Sequence, residues 1–125
     1  MTQRPKPITV IALLFIAVGT AGLLKDWWPL ITPHASEQIA RLKAEGLSDF
    51  GPAWASRLAA IVGGIFLLRS RNWARWLLVA WMVFHIGLSA MHSREMLLMH
   101  TVIFLPIGWV LFRGPSDRYF RPEAA

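Results

Sequence analysis

The chain contains no cysteine. That excludes disulfides, thiolate zinc sites, iron–sulfur clusters and thiol nucleophiles. Charge is scarce as well: Asp, Glu, Lys and Arg make up 16% of the residues, where a soluble domain carries about 25%. The long apolar stretches hold no Asp or Glu in their interiors. A proton-coupled exporter of the small multidrug-resistance kind needs an embedded carboxylate to exchange protons for cations, so that class is disfavoured despite the matching size. G-x-S-x-G, a P-loop, H-E-x-x-H and paired intramembrane carboxylates are all missing, and the chain is read as a non-enzyme. No helical face carries a long polar stripe, so a pore through one monomer is not expected.

What the sequence does have is apolar surface. It has 125 residues, 55% of them hydrophobic, with a mean hydropathy of +0.46. The length suggests one domain, and a chain so short and so apolar has more hydrophobic surface than one soluble core can hide. Four runs stand out: 8–24, 52–68, 73–91 and 96–112. A spanning helix needs about 20 mostly apolar residues, and these runs lie at the short end of the range. In lipid the backbone must satisfy its own hydrogen bonds, so each run is predicted to be helical. The first is longer than the roughly 7–15-residue apolar core of a signal peptide and is taken as a retained span. The fold class expected is all-α, a four-helix transmembrane bundle in a single integral domain.

The net charge of +6 invites a nucleic-acid reading, but the placement of the charges answers it. One side holds Arg4, Lys6, Arg69, Arg71, Arg75, Arg113, Arg118 and Arg121, eight basic residues against Asp117 and Glu123. The other holds Lys25, Arg41, Lys43, Arg57 and Arg94, five against Asp26, Glu37, Glu45, Asp49 and Glu95. The whole excess lies on one side. This is the positive-inside pattern, and it predicts a bacterial inner-membrane protein with both termini cytoplasmic and no nucleic-acid partner. Trp27, Trp28 and Trp54 fall at outer helix ends and Trp73, Trp76 and Trp109 near inner ends, as amphipathic rings at the headgroup level should. Trp81 lies deeper and is read as a packing residue.

The one long loop contains TPHASEQIARLKAEG, which predicts a short amphipathic helix with Thr32 as N-cap, Pro33 in the first turn and Gly46 at the C-terminal cap. Glu37, Arg41 and Glu45 are spaced for pairing along one face, with Ala35, Ile39 and Leu42 opposite. The hairpin RSRNWARW is read as a topology anchor. The second span has two small-residue columns, Ala55–Ala59–Gly63 and Ser56–Ala60–Gly64, whose bare face lets another helix approach closely. Ala17, Ala21 and Gly22 of the first span and Ala80 and Gly87 of the third are the matching small residues, and a homo-oligomer or membrane-complex partner is the alternative use of that face. Pro106 and Gly108 should loosen the fourth span.

HIGLSAMHSREMLLMH, residues 85–100, concentrates histidine and methionine. In an antiparallel hairpin turning near His92–Glu95, His85 and His100 lie at similar depth, roughly 8 Å inside the helix ends. Arg57, Thr20, Ser56, Ser89 and Thr101 fall in the same layer, and Asp26 is in reach of Arg57. An intramembrane charge calls for a partner or a function. A structural network is one reading. A ligand site open to the periplasm, formed by Arg57, His85, His100 and Ser89 around a polar molecule or a quinone headgroup, is another. A metal site at His85, His100 and Met96 is a third: no cofactor is expected, but copper suits His and Met and two facing histidines suit haem.

GGIFLLRSRNWARWLLVAW, with four spans on a small chain, resembles bacterial inner-membrane proteins in which an Arg/Trp-rich hairpin joins two central helices. The plan is similar to DoxX-like four-helix membrane proteins, some of them linked to quinone-dependent redox systems. The resemblance implies the architecture and covers about 20 residues; it carries no functional residues across. The functions expected are an accessory or interaction subunit acting through the second span, a periplasm-facing binding protein, or an oligomeric transporter.

Overall fold

A computed structural model describes residues 3–45 and 50–121. Among them are six helices: α1 Lys6–Ile31, α2 Ala35–Glu45, α3 Phe50–Leu68, α4 Asn72–His92, α5 Arg94–Phe112 and α6 Gly114–Phe120. Four of these, α1, α3, α4 and α5, are long and apolar enough to cross a membrane. The protein is an all-α bundle, and its length and composition are those of a multi-pass membrane protein.

α3 is the central helix, packed between α1 and α4, while α5 lies against α4 and touches α1 only sparingly. Close approach of α1 and α3 rests on glycine. A Cβ built on Gly64 would stand 2.7 Å from the Ala12 carbonyl oxygen, and one on Gly19 would stand 2.7 Å from the Arg57 carbonyl oxygen. On the next face a Cβ on Gly63 would meet the Leu78 side chain of α4. The small residues of α3 are thus consumed inside the chain: Ala60, Gly63 and Gly64 are buried, and Ala55 alone of the two columns is exposed. Of the expected partner positions Gly22 does meet α3, where a Cβ would stand 2.9 Å from the Arg57 side chain, and the others differ. On α1 the buried column is Ile8, Ala12, Phe15 and Gly19, spaced four, three and four, whereas Ala17 and Ala21 face outward. On α4 it is Arg75, Leu78, Met82 and Ser89, and Ala80 and Gly87 are exposed. Size marks residues that permit contact, but helical phase decides which of them make it.

α1 runs seven residues beyond the expected end at Leu24. Lys25-Asp26 does not stop it because the Asp26 charge is met by Arg57 of α3 at 2.7 Å. Trp27 then stacks on Trp54, with centroids 5.3 Å apart. Thr32 is consequently the C-cap of α1 rather than the N-cap of α2, and its hydroxyl donates back to the Pro29 carbonyl at 3.1 Å. α2 starts after the Pro33–His34 turn. Glu37 approaches His34 at 4.0 Å, and no ion pair joins it to Arg41 among the described residues. The Glu45 side chain and Gly46 lie outside the described residues.

Two corners are tightly made. After α3, Arg71 N–H donates to Phe66 O at 3.0 Å and Ser70 N–H to Leu67 O at 3.2 Å, the paired bonds of a Schellman motif. Its left-handed position is Ser70, at φ 54°. Between α4 and α5 the single residue Ser93 ends one helix and caps the next, accepting the Met96 N–H at 3.1 Å.

α6 was not expected. Seven residues give no periodic signal, and no helix is predicted beyond the fourth run. Instead α6 folds back across the terminal end of the bundle, the end that carries Lys6 and the α3–α4 corner. Tyr119 donates to the Leu68 carbonyl at 2.9 Å and accepts from Arg4 at 3.2 Å. Arg75, expected in the hairpin as a topology anchor, is fully buried beneath α6. Its Nη1 donates to Asp117 at 2.8 Å, its Nε to Asn72, and its guanidinium lies over the rings of Phe112 and Phe120. The hydrogen bond from Arg75 holds the Asp117 carboxyl below the usual carboxylate range. Apolar packing is therefore densest at this end, where Ile8, Leu67, Ala74, Leu78, Leu111 and Phe120 meet.

Candidate functional site

Toward the opposite end the four long helices diverge around a cleft of about 1160 Å³. It reaches from Lys25, Pro52 and His92 at the mouth to Ala60, Trp81 and Ile107 near the middle of the bundle. Ten residues of α3 separate Phe50 from Ala60, about 15 Å of depth. The walls are apolar: Leu14, Phe15 and Val18 from α1 face Ile103, Phe104 and Ile107 from α5. Because α1 and α5 scarcely touch, their seam is open sideways. A second hollow on the same seam, lined by Val10, Ile11, Pro106 and Val110, continues it toward the terminal end.

Polar groups converge on one region of this cleft. Trp81 Nε1 donates to Ser56 O at 2.7 Å and Ser56 Oγ at 2.9 Å. Ser56 Oγ lies 3.4 Å from His85 Nε2. The His85 ring lies against the Trp81 indole, centroids 3.8 Å apart, and its Nδ1 is 2.9 Å from the Trp81 carbonyl. Ser89 Oγ joins the two histidines, 2.7 Å from His85 O and 2.8 Å from His100 Nδ1. His100 Nδ1 is also 2.8 Å from Met96 O. On the far side Arg57 Nη1 donates to Gly22 O at 2.6 Å while lying 2.7 Å from Asp26 Oδ2. The contact with Asp26 is one of charge, since Asp26 Oδ2 is buried and accepts no hydrogen bond among the described residues.

Trp81, a packing residue by its sequence position, does pack, edge-on to Phe15 at 5.3 Å, but it also organises the polar cluster. Its position four residues before His85 was the available signal. Of the expected layer, Arg57, Ser56, His85, Ser89 and His100 come together. Thr20 does not, being exposed on the outer face of α1, and Thr101 spends its hydroxyl on Leu97 O at 2.7 Å. Met96 is exposed and absent from the cleft, whose methionine is Met99. Among the described residues no three His, Cys, Asp or Glu side chains gather as a metal set.

No protein-family model matches the chain, and no curated protein or solved structure matches it either. The site is therefore read from its own geometry. An apolar, laterally open cleft with a few convergent polar groups is the usual form of a small-molecule site. Here the polar groups run inward from the mouth to Trp81 on α3 and α4, and apolar side chains of α1 and α5 form the facing walls.

Proposed function

We propose that this is a membrane-resident binding protein for an amphiphilic small molecule that enters from the lipid between α1 and α5. The observation that carries the reading is the open α1–α5 seam leading to the Arg57, His85 and His100 cluster. Lipid-filled grooves are common between helices, but a groove that ends on a hydrogen-bonded histidine pair offers a headgroup more than hydrocarbon does. The protein is proposed to lie in a bacterial inner membrane with both termini cytoplasmic, on the distribution of its basic residues, so the cleft mouth faces the periplasm. It is proposed to act by binding, without catalysis. The alternative accessory role through α3 draws less support, because Gly63 and Gly64 are already packed against Leu78 and Ala12.

Protein extracted in mild detergent without a histidine tag is expected to carry a lipid-soluble molecule, seen as an adduct by native mass spectrometry and lost in Ile103→Trp, which narrows the cleft. Adduct-free protein, identical in the variant, overturns the reading. A Soret band or near-stoichiometric copper that disappears in His85→Ala would replace the amphiphile by haem or copper.

A further inference from the structure

The hydrogen bonds of the two histidines decide what kind of head the cleft accepts. His85 Nδ1 stands 2.9 Å from the Trp81 carbonyl and His100 Nδ1 2.8 Å from the Met96 carbonyl. A carbonyl oxygen only accepts, so each Nδ1 must carry the proton. In the neutral imidazole each Nε2 is then a bare lone pair. Ser89 fits this assignment, giving its one proton to His85 O and receiving from His100 Nδ1. So does Ser56, which accepts from Trp81 Nε1 and turns its proton toward His85 Nε2, at a long 3.4 Å. His100 Nε2 has no hydrogen bond among the described residues, and His100 lines the cleft.

Two Lys or Arg side chains line the cleft, Lys25 at its mouth and Arg57 further in. Arg57 is neutralised by Asp26 and bonded to Gly22 O, so an anionic head would have to compete with a carboxylate already in place. An unpaired acceptor in a low-dielectric site is costly, and a donor offsets that cost. Resting on the amphiphile reading above, we infer that the head recognised is a neutral hydrogen-bond donor, a hydroxyl, held by His100 Nε2, the acceptor that no side chain among the described residues already meets. The ligand class is a hydroxyl-headed amphiphile such as a monoacylglycerol or long-chain alcohol, rather than a fatty acid or an anionic lipid.

Trp81 supplies the readout, since bromine on a chain lying along the cleft quenches its fluorescence. The full chain, reconstituted in phosphatidylcholine vesicles, is titrated with a dibrominated monoglyceride and with the matching dibrominated fatty acid under mildly alkaline conditions, where the acid is ionised. Trp81→Phe identifies the signal from the cleft. The monoglyceride is expected to quench saturably and to bind about three- to tenfold more weakly in His100→Phe, the loss of one hydrogen bond. His100→Gln keeps an acceptor oxygen and should recover part of the affinity, and thermal unfolding of both variants establishes that they fold. If the ionised acid binds as well as the monoglyceride or better, the donor-head inference is wrong and the cleft reading stands. Saturable binding of the monoglyceride that neither variant alters has the same meaning. If neither probe quenches Trp81 saturably, the amphiphile reading itself fails and takes the inference with it.

Discussion

Asp26 and Arg57 illustrate how one residue decides another's cost. Arg57 sits within a spanning helix, where an uncompensated charge is expensive; it is 28% exposed, and its partner Asp26 is 17% exposed. Asp26→Asn leaves Arg57 with the Gly22 carbonyl alone. The variant should lose about 1 kcal/mol of stability, the upper end for an ion pair that keeps some solvent contact, measured as unfolding in detergent. An unchanged midpoint would mean that Arg57 is solvated through the mouth. Asp117 makes a prediction in pH. Its carboxyl is held below the ordinary range, first by the hydrogen bond from Arg75. The folded state thus favours the ionised form, and the stabilisation is full above the usual carboxylate pKa and lost as pH falls through the lowered one. Wild type should therefore exceed Asp117→Asn in melting temperature at neutral pH, and the two should converge in acid. Parallel curves would show that Asp117 acts only through shape.

At the scale of the element, helix contact depends on what a side chain would strike. A methyl group on Gly64 meets the backbone of α1 at Ala12 O, which cannot yield unless the whole helix moves. A methyl on Gly63 meets Cδ2 and Cγ of the buried Leu78 side chain, which can shift if its neighbours repack. Gly64→Ala should therefore cost more than Gly63→Ala, within the roughly 1–3 kcal/mol typical of overpacking. Comparing the two variants in the same denaturation assay checks the order, and a larger loss for Gly63→Ala would place the tighter contact at α3–α4. The corner at Ser93 is a second element-scale feature. Ser93→Ala removes the hydroxyl that caps α5 and should cost about 1 kcal/mol, while an unaffected protein would mean that the Ser93 corner is held by packing alone.

For the whole molecule, the question is which way it sits. The chain lacks cysteine, so a single introduced thiol reports its own side without background. Ser36 lies on α2 at the cleft end and Ser70 in the corner at the terminal end. With both termini cytoplasmic, S36C should react with an impermeant maleimide in spheroplasts and S70C only after lysis. The reverse pattern would turn the bundle over and put the cleft mouth in the cytoplasm. The bundle is also unequal along its axis. It is closed at the terminal end, where α6 covers Arg75 and the apolar core, and open at the other, where α1 and α5 part. Removing α6 would expose a buried guanidinium.

The spans, their helical form and the small-residue character of α3 were legible in the sequence, because hydrophobic length and backbone hydrogen bonding in lipid are local requirements. The layer of Arg57, His85 and His100 was legible too, since depth follows from counting residues along a helix. Rotation about the helix axis was not. Phase against a neighbour decides that Gly19 packs and Ala17 does not, that Ser89 bridges two histidines while Thr20 faces outward, and that Met99 rather than Met96 reaches the cleft. Two contacts between distant residues were likewise decided only by tertiary structure. Asp26 carries α1 past its charged end by meeting Arg57, and Asp117 draws a seven-residue helix over Arg75. In both cases the local sequence favours neither outcome, and the energy comes from a charge that another helix must compensate.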